Sequence, residues 1–382
     1  MHIVHLYKDA YPPVLGGIER MIWWVAKRQA AQGHQVTILA SQPNPKQHPL
    51  ALSPEETIEG VNIIRLRSFM RPGGTPICPG MTSRLRSLAP DIIHLHHPNP
   101  SSDVAYLLAA LQTPLVITYH SDVVRQRIRY RMYAPVQQRT LRMARVIMPT
   151  SQRYLDSSEQ LQPHRDRCVV VPLGVEMAGP DARSPEVQAE ASALRASWGP
   201  GPVVLSFGVL RYYKGLNFLL DAAAQLPDVR FIIAGQGPER ADLERKARNL
   251  HVMDRVHFIG AMPEERIPYV HAASDMFVLP SHLRAEAFGL SMVEAMMSGL
   301  PIIATDLPTG VPEVNEHERT GLIVPPTDVD ALTAAIRRLV DDPALRQRLG
   351  NAAREKAMTQ YTADRMVARI DEVYDRVCAV AR

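Results

Sequence analysis

Short, almost unbroken apolar runs that alternate with helical stretches constrain the fold of this chain more than any other feature. His2–Tyr7, Gln35–Ala40, Val61–Leu66, Asp91–Leu95, Pro114–Tyr119, Val146–Pro149 and Cys168–Val171 read as strands. A strand that is apolar on both sides must be covered on both faces, which a parallel sheet flanked by helices achieves. Between the first two runs, Ile18, Met21, Ile22, Val25 and Ala26 recur at helical spacing, and Gly33 stops the helix. Pro12, Pro13, Gly16 and Gly17 keep the stretch before that helix irregular.

The pattern starts again after residues 176–202, which are rich in Ala, Pro, Gly and Ser. Val203–Phe207, Val229–Ala234, Arg255–Ile259, Asp275–Leu279, Pro301–Thr305 and Gly321–Val324 form the second series, and helices without strands follow from Asp328. A chain of 382 residues exceeds what one core holds, so two α/β domains joined near Pro172-Leu173-Gly174 are expected. Tandem domains of this kind predict a cleft at the carboxyl ends of their strands, where such sheets bind ligands.

Composition narrows the classes. With 46% hydrophobic and 21% charged residues and no low-complexity tract, disordered and fibrous classes are disfavoured. The apolar N-terminus is short and runs directly into Lys8-Asp9, so it reads as a first strand and not as a signal peptide. No apolar run approaches bilayer length, and a cytoplasmic location is expected. Cys78, Cys168 and Cys378 are scattered and odd in number, which argues against a disulfide framework or a zinc knuckle. The net charge of +4 conceals a local excess. Between Val123 and Leu155 there is no acid, while Arg125, Arg127, Arg129, Arg131, Arg139, Arg142, Arg145 and Arg153 are all basic.

Three stretches at strand ends carry the chemistry. Gly16-Gly17 precede a helix whose first amides and positive dipole end suit a phosphate. In Gly208-Val209-Leu210-Arg211-Tyr212-Tyr213-Lys214, Arg211 and Lys214 set two cations where a diphosphate would lie, in the role a metal otherwise fills. In Ser281 to Gly299, Glu286 lies in a loop and Glu294 more than a turn inside the next helix. Helical side chains lean toward the N-terminus, so Glu294 can reach a ligand held there, and amides around Phe288, Gly289 and Leu290 can bind hydroxyl or phosphate.

The E-x-F-G-x4-E stretch from Glu286 to Glu294, with Gly16-Gly17, Lys214 and Gly235-Gln236-Gly237-Pro238-Glu239, closely resembles the retaining glycosyltransferases of family 4. The resemblance spans essentially the whole chain and is strongest to bacterial surface-polysaccharide mannosyltransferases. It implies the α/β GT-B fold: an acceptor-binding Rossmann-like domain over 1–173 and a donor domain over 174–360, facing each other across a cleft. A last helix, 361–382, would return to the first domain. The implied reaction is metal-independent, retaining transfer of a hexose from GDP-mannose or a UDP-hexose to a glycan or lipid-linked acceptor, without a cofactor. Glu286 would meet the hexose and Glu294 the ribose. Lys214 and the Gly17 amide would hold the diphosphate, with Gly16, Gly208 and Gly235 in the donor site. The backbone of Phe288, Gly289 and Leu290 would complete that pocket, and His120 of Thr118-Tyr119-His120-Ser121-Asp122 would approach the transferred sugar. The family usually has arginine after the glycine at position 208. Here Val209 stands there, and Arg211 is two places on.

Other signals are given less weight. Asp328-Val329-Asp330 has the form of a metal-binding D-x-D but sits where a helix cap is expected. His94, His96 and His97 have no neighbouring acid or cysteine in sequence, so a core or cleft role outweighs metal binding. Gly235-Gln236-Gly237 lacks the third glycine of a dinucleotide fingerprint. The Arg125–Arg145 segment, interleaved with Ile128, Tyr130, Met132, Tyr133, Leu141 and Met143, suits peripheral contact with an anionic membrane at its inner face, and no nucleic-acid motif accompanies it. The rival functions are a sugar-nucleotide epimerase, a phosphorylase with lysine-bound pyridoxal phosphate, and a non-catalytic nucleotide-sugar binder.

Overall fold

The computed structural model describes residues 1–43, 52–124 and 127–379. The chain divides into two compact units, Met1–Gly174 with Ala363–Arg382, and Val175–Thr362.

In the first unit the strands among the described residues are β1 (His2–Leu6), β2 (Gln35–Ser41), β3 (Glu55–Ile58), β4 (Val61–Leu66), β5 (Ile92–His97), β6 (Leu115–Tyr119) and β7 (Val146–Pro149). They lie in the order β3-β4-β2-β1-β5-β6-β7. All neighbours are parallel except β3, which pairs antiparallel with β4 at the edge. Sequence patterning misses β3 because Glu55-Glu56-Thr57-Ile58 is half exposed and polar, as edge strands often are. The expected strand at Cys168–Val171 is also corrected. It makes one bridge, Ile147 to Cys168, and runs beside β7 through the Val169 and Val171 amides. Pro172 stops it there before a full ladder can form.

Helix Gly17–Ala31 buries Met21, Ile22, Trp24 and Val25. Helix Ala363–Ala379 belongs to this unit and buries Met366, Val367, Ile370, Val373, Tyr374 and Val377 at helical spacing. Each such apolar side chain contributes about 1.5–3 kcal/mol on burial. The 2.6 Å Arg28–Asp364 ion pair joining the two helices adds little, because Asp364 is 81% exposed.

The second unit holds β8 (Val203–Phe207), β9 (Arg230–Ala234), β10 (Val256–Gly260), β11 (Met276–Leu279), β12 (Ile302–Thr305) and β13 (Gly321–Val324). Their order is β10-β9-β8-β11-β12-β13, all parallel. Val204, Phe231, Ile233, Val278, Ile303 and Ile336 sit in its core, fully shielded. Order reverses between β9-β8 and β11, the switch point at which open α/β sheets take ligands.

Candidate functional site

The second unit gathers its charged groups at the carboxyl ends of β8 and β11. The Lys214 ammonium lies 2.6 Å from a Glu286 carboxylate oxygen, with both side chains largely buried. Ser281, just past β11, donates its hydroxyl to the same oxygen at 3.0 Å. Burial works to lower the Lys214 pKa, but the adjacent carboxylate outweighs it and holds the ammonium above the usual lysine value. Glu286 therefore faces a cation that stays charged throughout the physiological range.

Lys214 borders a recess floored by Gly208 and Ala234. A Cβ on Gly208 would stand 3.7 Å from the Lys214 ammonium and 3.9 Å from the Ser291 hydroxyl. The Ser291 hydroxyl is buried and makes no hydrogen bond among the described residues. Behind this recess the backbone is in close contact with itself. Gly235 has φ +120°, and a Cβ there would fall 2.0 Å from the Gly208 carbonyl oxygen. Gly235 thus lets the β8 and β9 ends touch, while Gly208 allows its own φ of +141°.

Helix Leu290–Met297 opens after Gly289, which has no side chain to cap it. The Met292 and Val293 amides donate to the Gly289 carbonyl, and the Leu290 and Ser291 amides stand ahead of the helical ladder. Glu294 is buried at 2% exposure. The Phe288 ring packs edge-on against Tyr361 at 5.6 Å, so that side chain is structural while its backbone leads into the helix. Arg211 is exposed yet near enough to act against the Lys214 charge, whereas Val209 is an exposed apolar residue.

The first unit holds the other named residues. Gly16 precedes helix Gly17–Ala31, and a Cβ there would overlap the Glu19 carboxylate at 1.9 Å. Beyond the end of β6, His120 is 4% exposed, and its amide donates to the His97 carbonyl at 3.0 Å. Behind it is a buried row of histidines that register explains. His5 of β1 pairs with His94 of β5, and alternation puts His96 on the same face. His120 Nε2 lies 3.2 Å from His96 Nδ1, His96 Nε2 lies 3.2 Å from His5 Nδ1, and His5 Nε2 lies 2.9 Å from the Gln29 amide oxygen. Burial pushes His120 down to about 3, helped by His97, and His5 down to about 4 against the opposing Gln29 bond. His94 and His96 are also held well below the usual value, first by burial and then by the neighbouring imidazoles, His5 and His120 acting on both.

His5, His94 and His96 are the one group among the described residues whose ligand atoms all lie within 4.8 Å of each other. Nitrogen type suits zinc or copper, but direction does not. The rings of His94 and His96 stack at 4.3 Å and 27°, so their in-plane lone pairs run side by side, while His5 and His96 lie edge to edge with Nδ1 and Nε2 turned to each other at 3.2 Å. Both His94 nitrogens are already 2.7 Å from hydroxyls, of Tyr374 and Thr118. The geometry is that of a hydrogen-bond network. Asp328, of the D-x-D sequence, accepts from the Ala331 amide at 2.9 Å as a helix cap.

Sequence reading passes over Ser281, Ser291, Gln29 and His5. Serine and glutamine in a loop or helix carry no periodic signal. The signal for His5 was present in the strand register, but only once β1 and β5 are known to be neighbours.

Residues 16–174 match the glycosyl transferase 4-like domain family, and residues 193–356 match glycosyl transferases group 1. The chain is 31% identical to the O-antigen chain mannosyltransferase C of Escherichia coli across 98% of each protein. It is 33% identical to the D-rhamnosyltransferase WbpZ of Pseudomonas aeruginosa, covering 95% of this chain and 93% of that one.

The chain is a family 4 glycosyltransferase.

Its fold is GT-B, two parallel-sheet Rossmann-like units. Sucrose-phosphate synthase from Thermosynechococcus elongatus has the same fold, with a TM-score of 0.84 at 23% identity over 99% of each chain. In this transferase, Lys214, Glu286 and Glu294 fall in the group 1 segment, and His120 and Gly17 in the 4-like segment. An epimerase and a non-catalytic binder are not favoured by these relatives.

Proposed function

We propose that this transferase moves a hexose with retention of anomeric configuration and without a metal ion, from GDP-mannose first and a UDP-hexose second, to a glycan or lipid-linked acceptor of a cell-surface polysaccharide. The buried Lys214–Glu286 pair carries the reading. Glu286 orients the hexose through its hydroxyls, and Glu294 takes the ribose. As the bond from C1 to the diphosphate oxygen breaks, charge grows on the leaving phosphate. Lys214, Arg211 and the amides of the Gly289–Leu290 turn supply the countercharge a metal would give. The acceptor oxygen bonds C1 on the face the diphosphate leaves, and its proton passes to a departing phosphate oxygen. His120 is assigned to the transferred sugar. The mannosyltransferase relative supports GDP-mannose as the first donor to test.

Proton NMR of the protein with GDP-mannose or UDP-glucose, in EDTA and without acceptor, tests this. Slow release of one hexose, first as its α-anomer, is expected, and Glu286→Gln should cut that rate by about 100-fold or more. Release of the β-anomer would overturn retention, and loss of turnover in EDTA would overturn metal independence.

Peripheral membrane contact through the arginine segment is proposed as well. Arg125 and the side chains of Arg127 and Arg129 lie outside the described residues. On the described part of helix Arg127–Met143 and just past it, Arg131, Arg139, Arg142 and Arg145 are exposed, with Met132 exposed by 73% and Met143 by 43%. No helix among the described residues is long and apolar enough to cross a membrane. Co-sedimentation with vesicles rich in anionic lipid should fall by about tenfold or more in an Arg139→Glu/Arg142→Glu variant. Equal sedimentation with neutral vesicles would remove the electrostatic basis of the contact.

A further inference from the structure

We infer that Gln29, His5 and His96 are positioning residues that fix His120 in a single tautomer, leaving its Nδ1 as a bare hydrogen-bond acceptor. The direction is set at the far end of the row. The Gln29 amide oxygen can only accept, so the hydrogen in the 2.9 Å contact is on His5 Nε2. A neutral His5 then has a lone pair on Nδ1, which must receive a hydrogen from His96 Nε2 across 3.2 Å. His96 Nδ1 is left as an acceptor in turn, and His120 Nε2 donates to it across 3.2 Å. Each ring passes the constraint to the next. It holds because burial keeps the imidazoles neutral at physiological pH, with His5 at about 4 and His120 at about 3.

The last ring shows the result. His120 Nδ1 is buried and makes no hydrogen bond among the described residues. The two imidazole lone-pair directions diverge widely, so Nδ1 points away from His96. A buried nitrogen acceptor without a donor costs about 1–3 kcal/mol, a cost that a ligand hydroxyl would remove on binding. The ligand group matched to it is a neutral O–H, as on a sugar. His94 braces the row from the side. It stacks on His96, and its two nitrogens are held by Thr118 and Tyr374. The sugar assignment of His120 rests on the proposed function above, whereas the tautomer itself does not.

The test is nitrogen NMR of the ¹⁵N-histidine-labelled full chain without ligand, with His120 assigned through His120→Gln. One tautomer is expected, with the proton on Nε2. Gln29→Met removes the terminal acceptor and should give a tautomer mixture at His120, and Gln29→Glu should restore the single form. Gln29→Met should also weaken GDP-mannose binding by about threefold, as the competent fraction falls, and leave GDP binding unchanged because GDP has no sugar. A proton on His120 Nδ1 in the unaltered protein would overturn the proposal, as would a Gln29→Met spectrum identical to it. If Gln29→Met does not fold, the spectrum of the unaltered protein decides alone. A single Nε2–H tautomer with sugar binding indifferent to both Gln29→Met and His120→Gln would keep the relay and remove the sugar assignment.

Discussion

Replacing Lys214 with methionine should lower kcat/KM for hexose transfer by about 1000-fold, with the donor KM changing far less than kcat. In the proposed mechanism the ammonium meets negative charge that grows on the leaving diphosphate, so its effect is larger in the transition state than in the bound donor. Methionine keeps most of the volume and removes only the charge. A second effect accompanies the first. Lys214 is the ion-pair partner of Glu286 at 2.6 Å, and both side chains are at most 14% exposed. Losing one member leaves a buried carboxylate with the Ser281 hydroxyl, which destabilises the unit by about 3 kcal/mol. The double variant Lys214→Met/Glu286→Gln should recover most of that stability while transfer stays lost. Steady-state kinetics and thermal melts of the two variants separate the roles. A Lys214→Met enzyme within tenfold of the original in kcat/KM would remove Lys214 from the chemistry.

Gly235→Ala is expected to lower the melting temperature by about 10 °C and to abolish measurable donor binding. Two costs combine. At φ +120° an L side chain is strained, and its Cβ would fall 2.0 Å from the Gly208 carbonyl oxygen, an atom of a backbone that cannot turn aside. Together they come to about 4 kcal/mol. Relief would move Gly208 and the turn leading to Lys214, so function falls with stability. Gly33→Ala is the control. Its φ is +88°, but nothing lies within 4 Å of the added Cβ. It should cost only about 1 kcal/mol, with donor binding unchanged. Equal losses for both variants would mean that backbone conformation alone, and not contact with Gly208, governs position 235.

The charged residues at the strand ends were legible because they lie where local rules act. Lys214 and Glu286 each follow a strand whose apolar run is plain, and Glu294 sits a little over one turn beyond the glycine that opens its helix. The partners of these residues were not legible. Ser281 meets Glu286 through a loop whose path has no periodicity, and Ser291 stands beside Gly208 only because β8 and β11 are adjacent. Among the secondary elements, β3 escaped notice because a polar edge strand has no buried face to announce it. Cys168–Val171 misled because its apolar residues line β7 without a second partner strand.

The sequence by itself determined the fold class, the repetition of α/β units and the identity of the charged residues at the strand ends. These follow from the alternation of apolar runs with helices and from glycines before helix starts, which are signals contained within a few residues. Tertiary structure alone decided which strands are neighbours, and with that it decided the histidine row. His5 and His94 are eighty-nine positions apart, and Gln29 and Tyr374 come from opposite ends of the chain. Only the placing of β1 beside β5, and of helices Gly17–Ala31 and Ala363–Ala379 over them, brings these groups within hydrogen-bond distance. Hydrogen bonds act over about 3 Å and depend on direction. Local pattern cannot set such contacts between residues so distant in the chain, because sheet order and register must first be fixed.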